Sequence, residues 1–248
     1  MDIKTMVDRV LFALSVPKCV SCKRRLDYGD KAFCPECSAI FEEFKTRNCS
    51  RCSRQLNKCD CSIDFLSSHF VKRTVKCYRY LHREESNPAN RLIYSLKTDN
   101  RSDVLEKCTD ELCLAIRNSI ENPKDYIFTN VPRRRAAIVE YGIDHSELLA
   151  KEIAKRLGGR YIPLLKSNAK RAQKMLDRTE RFKNADFAIN RRRDLSDKGV
   201  IIIDDVITSG ASMGKAASLL RSLGAKDIVA AALGIAYKDD NNFPNLII

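Results

Sequence analysis

No apolar run in the 248-residue chain approaches the ~20 residues needed to cross a bilayer, so no membrane span is expected. No secretion leader is expected either. The apolar stretch 10–16 is short, Asp2 and Asp8 stand where a leader would be basic, and Val16-Pro17-Lys18 is a poor cleavage site. Tryptophan is absent and aromatic residues make up only 7%. Without a ladder of rings on which bases could stack, sequence-specific reading of a nucleic acid is not expected. There is no Gly-x-Gly-x-x-Gly. The stretch Gly210–Ala216 imitates a nucleotide-binding loop, but it has one residue too few between its glycines and no hydroxyl after Lys215. Histidine is scarce: His69 and His82 lie in polar surroundings, and His145, near a helix start, reads as an ordinary surface residue. Acids are in deficit, with 32 Asp and Glu against 45 Lys and Arg. The resulting +13 points to a polyanionic partner: a nucleic acid, a phosphorylated metabolite or an acidic lipid.

Hydrophobic residues (44%) are sufficient for a sizeable core, and the length suits one α/β domain with a small accessory module. Cysteine is abundant. Of eleven cysteines, eight lie between Cys19 and Cys61, all in close pairs. A secreted disulfide framework would crowd cysteines similarly, but the odd count and the missing leader favour reduced thiols and a cytoplasmic location. Cys19-x-x-Cys22 followed by Cys34-x-x-Cys37 has the spacing of a four-thiolate zinc site. Cys49-x-x-Cys52 followed by Cys59-x-Cys61 is less regular and reads as a second zinc site or as partly free thiols. Such sites leave no coordination position open, so the zinc would be structural. If both were filled, the net charge would fall to about +9. Cys77, Cys108 and Cys113 read as core residues. Lys18, Lys23, Arg24, Arg25, Arg47, Arg51 and Arg54 surround the paired cysteines, as either a phosphate-contacting patch or a solvated surface.

Periodicity predicts a helix over 2–14, a strand over 69–80 and helices over 91–96 and 104–120. After Asn122-Pro123 follow a strand over 126–131, a helix over 146–157 closed by Gly158-Gly159, and a strand over 160–165. The stretch 167–193 holds nine Lys and Arg against three acids. A strand over 200–203, a helix over 211–223 capped by Gly224 and a strand over 228–235 complete the pattern. This alternation implies an α/β fold with a mostly parallel sheet flanked by helices, behind a Cys-rich module. The expected boundaries are 1–65 for the N-terminal helix and cysteine module, 66–237 for the α/β domain and 238–248 for a tail.

The segment Val200-Ile201-Ile202-Ile203-Asp204-Asp205-Val206-Ile207-Thr208-Ser209-Gly210-Ala211-Ser212 carries the chemistry. Four β-branched residues make a central strand, two acids end it, and a small hydroxyl-rich turn opens a helix. Ligands of open α/β sheets gather at such strand ends. Amides at the helix start suit a phosphate monoester, and Gly210 lets backbone approach closely. Adjacent carboxylates would repel a bare anion. They fit one that brings sugar hydroxyls and a hydrated Mg²⁺.

The string resembles the phosphoribosyl pyrophosphate (PRPP) signature of type I phosphoribosyltransferases. With the preceding cysteines, the chain from Cys19 to Ala236 resembles the ComF-type competence family, a zinc finger joined to that fold. Residues 92–103 (LIYSLKTDNRSD), Val131-Pro132 with the basic residues after it, residues 142–149 (GIDHSELL), and Gln173, Arg181, Asn184 and Phe187 match as well. The resemblance implies that Asp204 and Asp205 hold the ribose hydroxyls and the Mg²⁺ shell, and that Thr208, Ser209, Gly210, Ala211 and Ser212 take the 5′-phosphate. It implies that Arg133, Arg134 and Arg135 meet the pyrophosphate, and that the stretch around Lys170–Arg181, with Arg171 and Arg181, closes as a flap. Ala136–Val139 and Tyr141-Gly142-Ile143 differ from the usual family sequence. Phosphoribosyltransferases for 6-oxopurines carry an acid where Thr208 stands, and threonine is no general base near neutral pH. The resemblance implies either a ribosyl transferase with an unidentified acceptor, linked to DNA uptake, or a non-catalytic protein that handles single-stranded DNA with PRPP as a regulatory ligand. DNA-uptake proteins are implied as partners.

Overall fold

The computed structural model describes residues 16–49, 51–80, 87–133, 138–139, 142–168, 187–190 and 192–236. The expected N-terminal helix, most of the basic stretch after Ser167 and the tail lie outside these residues.

The chain first forms two cysteine-bearing turns with a helix between them, α1 (Pro35–Thr46), and then a one-turn helix, α2 (Asp64–Ser67). Strand β1 (Val71–Arg79) follows, then α3 (Pro88–Thr98) and α4 (Ser102–Ser119). The second half runs β2 (Ile127–Asn130), α5 (His145–Arg156), β3 (Arg160–Tyr161), β4 (Leu165–Ser167), β5 (Phe187–Ile189), β6 (Gly199–Ile207), α6 (Ala211–Ser222) and β7 (Asp227–Ile235). Five strands form one parallel sheet in the order β1-β7-β6-β2-β3; β4 and β5 form a separate antiparallel pair. No helix among the described residues is long and apolar enough to cross a membrane.

The apolar runs of β6 and β7 are buried on both faces because helices cover both faces. Ile201, Ile203, Val229 and Ala231 join one cluster, with residues of α3, α4 and α5. Val200, Ile202, Ile228 and Ala230 join the other, with residues of α6. The first cluster also contains Cys19, Val20, Leu26, Phe33, Cys34, Cys37 and Phe41, so the first cysteine turn shares a core with the sheet. Cys77, Cys108 and Cys113 are buried in it, as expected.

Two elements differ from expectation. β6 does not end at the acids: Asp204 still pairs with Ala232, Val206 with Gly234 and Ile207 with Ile235. The ladder with β7 carries the backbone on past residues whose side chains alone suggest a stop. The expected strand over 160–165 divides. Arg160 and Tyr161 extend the main sheet, whereas Leu165 starts the separate pair; between them Pro163 has no N–H to offer a ladder.

Candidate functional site

Asp204 and Asp205 lie near the carboxyl end of the central strand β6, where α3, α5 and the chain after β2 converge on them. Asp204 Oδ1 accepts from Ser146 Oγ of α5 at 3.0 Å and from the Asp205 amide at 2.9 Å. Burial, reinforced by the neighbouring Asp205 carboxylate, pushes Asp204 up to about 7. Asp205 is the more deeply buried. Lys97 Nζ of α3 lies 3.0 Å from its Oδ1, and Arg133 pairs with its Oδ2. Burial opposes its charge, but Lys97 and Arg133 outweigh burial and hold it below the usual carboxylate range.

Arg133 is itself fixed. Its amide donates to Asp144 Oδ2 at 3.1 Å, while Asp144 Oδ1 accepts from the Glu147 amide at 3.1 Å and so caps α5. Arg134, Arg135, Arg171 and Arg181 lie outside the described residues. The sequence reading assigned no role to Lys97, Asp144 or Ser146. The Asp144-x-x-Glu147 pattern could have marked a helix cap, but nothing local marks Lys97 or Ser146 as partners of the acids.

His145 is not a surface residue. It is 2% exposed, with Nε2 3.1 Å from Asn100 Oδ1, because the α3–α4 turn folds over the start of α5. Burial, helped by the Arg133 charge, pushes its pKa down.

Beyond β6, Thr208 is exposed and Ser209 partly buried. The Ser209 hydroxyl accepts from the Ala211 amide at 3.3 Å. Gly210 precedes α6 with φ of 77°, a left-handed conformation that favours glycine, and α6 has no side-chain cap. The space beside Gly210 is already filled: a Cβ there would lie 3.2 Å from both Ile63 Cδ1 and Leu66 Cδ2. A Cβ on Gly214, one turn on, would meet Phe65 and His69. The glycine expected to admit a ligand therefore also admits the segment leaving the cysteine module.

With this arrangement established, likeness to known proteins becomes informative. Residues 144–241 match the phosphoribosyl transferase domain family. The chain is 25% identical over 204 residues to Competence protein ComFC of Streptococcus pneumoniae, covering 80% of this chain and 86% of that protein. It is 23% identical over 235 residues to Competence protein F of Haemophilus influenzae, covering 85% and 93% respectively. By these matches and its cysteine-rich start, the chain is similar to competence proteins of the ComF type. A further stretch of 39 residues is 51% identical to ribose-phosphate pyrophosphokinase of Pyrococcus abyssi, but covers only 16% of this chain and 14% of that protein.

The cysteine-rich segment holds two sets of four thiols: Cys19, Cys22, Cys34 and Cys37, and Cys49, Cys52, Cys59 and Cys61. Within each set all four sulfurs lie within 4.8 Å of one another. The two leading turns repeat one geometry. The Cys19 amide donates to the Arg24 carbonyl and the Cys49 amide to the Arg54 carbonyl; the Lys23 and Ser53 amides return to the Cys19 and Cys49 carbonyls. Lys23 and Ser53 both have left-handed φ, 64° and 57°. The amides of Arg24 and Arg54, facing the sulfurs, lower Cys22 to about 7 and Cys52 to about 6.

Both sets fit a four-thiolate metal ion. A tetrahedron with Zn–S bonds of about 2.3 Å has S···S edges of about 3.8 Å. Cys22 and Cys34 Sγ are 3.7 Å apart, and Cys52 and Cys59 Sγ 3.5 Å. For the less regular second set there is independent support. Lys76 is fully buried, its ammonium donating to the carbonyls of Cys59, Cys61 and Thr74 at 3.0–3.2 Å, with no carboxylate pairing with it among the described residues. A buried cation without a counter-charge is costly, and four thiolates around a dication would supply a net −2 beside it.

The flanking cations are partly engaged. Arg24 pairs with Glu36, Arg51 with Asp64 and Arg54 with Asp60, while Arg47 lies over the Phe44 ring.

Proposed function

We propose that this ComF-type protein binds PRPP with Mg²⁺ at the carboxyl end of β6 and transfers its ribosyl group to an acceptor in a process linked to DNA uptake. The observation that carries the reading is the adjacency of Asp204 and Asp205 to the left-handed Gly210 turn that opens α6. Carboxylates that accept from ribose hydroxyls and hydrated Mg²⁺ stand a few residues from amides that suit the 5′-phosphate. The relatives' names supply the link to competence.

In this reading Asp204 and Asp205 hold the ribose and metal shell, and the turn Thr208-Ser209-Gly210-Ala211-Ser212 holds the 5′-phosphate. Arg133, with Arg134 and Arg135, faces the pyrophosphate, and Arg171 and Arg181 belong to the closing flap. Mg²⁺ and the arginines stabilise departing pyrophosphate while the ribosyl centre is attacked. Thr208 supplies no base, so the acceptor is an amine or an already anionic nucleophile. The two cysteine sets hold zinc as structural ions. Residues 1–65 form the module, 66–237 the transferase-like domain and 238–248 the tail.

The test is thermal stabilisation by PRPP with Mg²⁺. The double variant Asp204→Asn, Asp205→Asn is expected to lose it and to keep the parent's zinc content; equal stabilisation of variant and parent would remove the ribose assignment.

The competence names of both relatives also favour a second reading, in which PRPP regulates a non-catalytic protein that handles single-stranded DNA. A pyrophosphate-release screen with PRPP, Mg²⁺ and a panel of amines, bases and nucleic acids separates the two. Release that depends on an acceptor supports transfer. Binding without release, joined to salt-sensitive DNA affinity, supports the second.

A further inference from the structure

Both oxygens of Asp205 are engaged by cations: Lys97 holds Oδ1 at 3.0 Å and Arg133 holds Oδ2. A ribose hydroxyl or the water shell of a metal arriving at this carboxylate competes with the cations already there. Resting on the phosphoribosyl reading above, we propose that Lys97 is an exchanging cation, paired with Asp205 before the ligand binds and transferred to the ligand's diphosphate when ribose and Mg²⁺ arrive.

The two partners of Asp205 differ in how firmly they are held. The Arg133 side chain is 18% exposed, and its backbone is tied to Asp144, which also caps α5. Among the described residues Lys97 pairs with Asp205 alone, through a flexible four-carbon stem, and its side chain is 33% exposed. A dication reaching Asp205 would also repel an ammonium already seated there. Lys97 is therefore the partner that yields.

Its destination follows from helix geometry and the ligand's covalent structure. Lys97 lies in the last turn of α3, and a long helical side chain leans toward the helix N-terminus. One turn in that direction stands Tyr94, 60% exposed, so Lys97 borders open solvent rather than packed core. In PRPP the diphosphate is attached to the carbon adjacent to the one bearing the 2-hydroxyl, on the same ring face. An ammonium displaced from the carboxylate that takes that hydroxyl therefore meets the diphosphate within the sweep of its own stem. The 5-phosphate, at the opposite end of the ribose, lies toward the α6 turn. Lys97 thus acts on the diphosphate end alone and, while paired with Asp205, competes with the ribose for that carboxylate.

Calorimetric titration in Mg²⁺ tests this, with PRPP, inorganic pyrophosphate and ribose 5-phosphate as probes and Lys97→Met and Lys97→Arg as variants. Lys97→Met keeps the stem and removes the charge. It is expected to lose about tenfold or more in affinity for PRPP and for pyrophosphate. It is expected to bind ribose 5-phosphate at least as tightly as the parent, because the competitor for Asp205 is gone. Lys97→Arg should retain most of the PRPP affinity. A parallel loss for ribose 5-phosphate would make Lys97 a merely structural residue, and undiminished PRPP binding by Lys97→Met would deny it any contact; either overturns the proposal alone. If the parent protein binds none of the three probes, the phosphoribosyl reading falls and this inference falls with it.

Discussion

Two adjacent aspartates of β6 carry opposite charge tendencies, and the cause is their partners. Asp205 is held ionised by Lys97 and Arg133, whereas Asp204, raised by burial and by the Asp205 carboxylate beside it, goes from its ordinary 3.8 to about 7. Between those values the folded chain keeps a proton that the unfolded chain has lost. The stabilisation from Asp204 is therefore complete below about 4 and declines as pH rises toward about 7. A ligand that requires the carboxylate must expel this proton. Binding of PRPP with Mg²⁺ at about pH 6 is expected to release close to one proton, and far less at about pH 8. Titrations in buffers of different ionisation enthalpy measure this directly; a buffer-independent heat at the lower pH would contradict it. The acids were visible in the sequence because two carboxylates after four β-branched residues are conspicuous. Their asymmetry was not, since it comes from burial and from Lys97 and Arg133, 108 and 72 residues from Asp205 in the chain. The burial of His145 was hidden for the same reason: Asn100 reaches it from the turn between α3 and α4.

Among the elements, the long apolar periods of α4 and α5 and the apolar runs of β6 and β7 were legible, because burial on one or both faces is written in residue spacing. The extension of β6 to Ile207 was not, since backbone pairing with Ala232 and Gly234 leaves no mark on β6's own side chains. Nor was the contact of α2 with α6. Ile63 and Leu66 rest against Gly210, and Phe65 against Gly214, so the one-turn helix braces the turn proposed to take phosphate. Gly210→Ala places a methyl group in that contact and forces a left-handed alanine. It is expected to lower stability by about 1–2 kcal/mol, by the left-handed strain alone. The phosphate response should weaken more than that strain explains, because the turn itself must shift. Urea unfolding and PRPP-dependent thermal shift, compared on the same variant, check both parts; a full phosphate response with the stability loss would separate the brace from the turn.

At the scale of the molecule, the cysteine segment and the sheet form one body. Phe33 and Phe41 of the first cysteine turn and α1 pack with Tyr78 and Leu92, and the carbonyls of the second set close around Lys76 of β1. Removing one ligand of the second set should therefore be felt at a distance. Cys61→Ser is expected to lower bound zinc by about one equivalent. It should also speed amide exchange over residues 63–69 and 208–214, leaving the first cysteine turn protected. Elemental analysis with hydrogen exchange by mass spectrometry reads both, and unaltered exchange across 208–214 would show the second metal to be a local staple only.

Among the described residues, the first cysteine turn and α1 share one core with the sheet. Cutting the chain after the cysteines would not release a finished transferase-like body, because the wall of that body formed by Phe33, Phe41 and the buried sulfurs would leave with the other fragment. The segment resembling a detachable finger is masonry for the chamber behind it, and a shortened version would begin life with one side open to water.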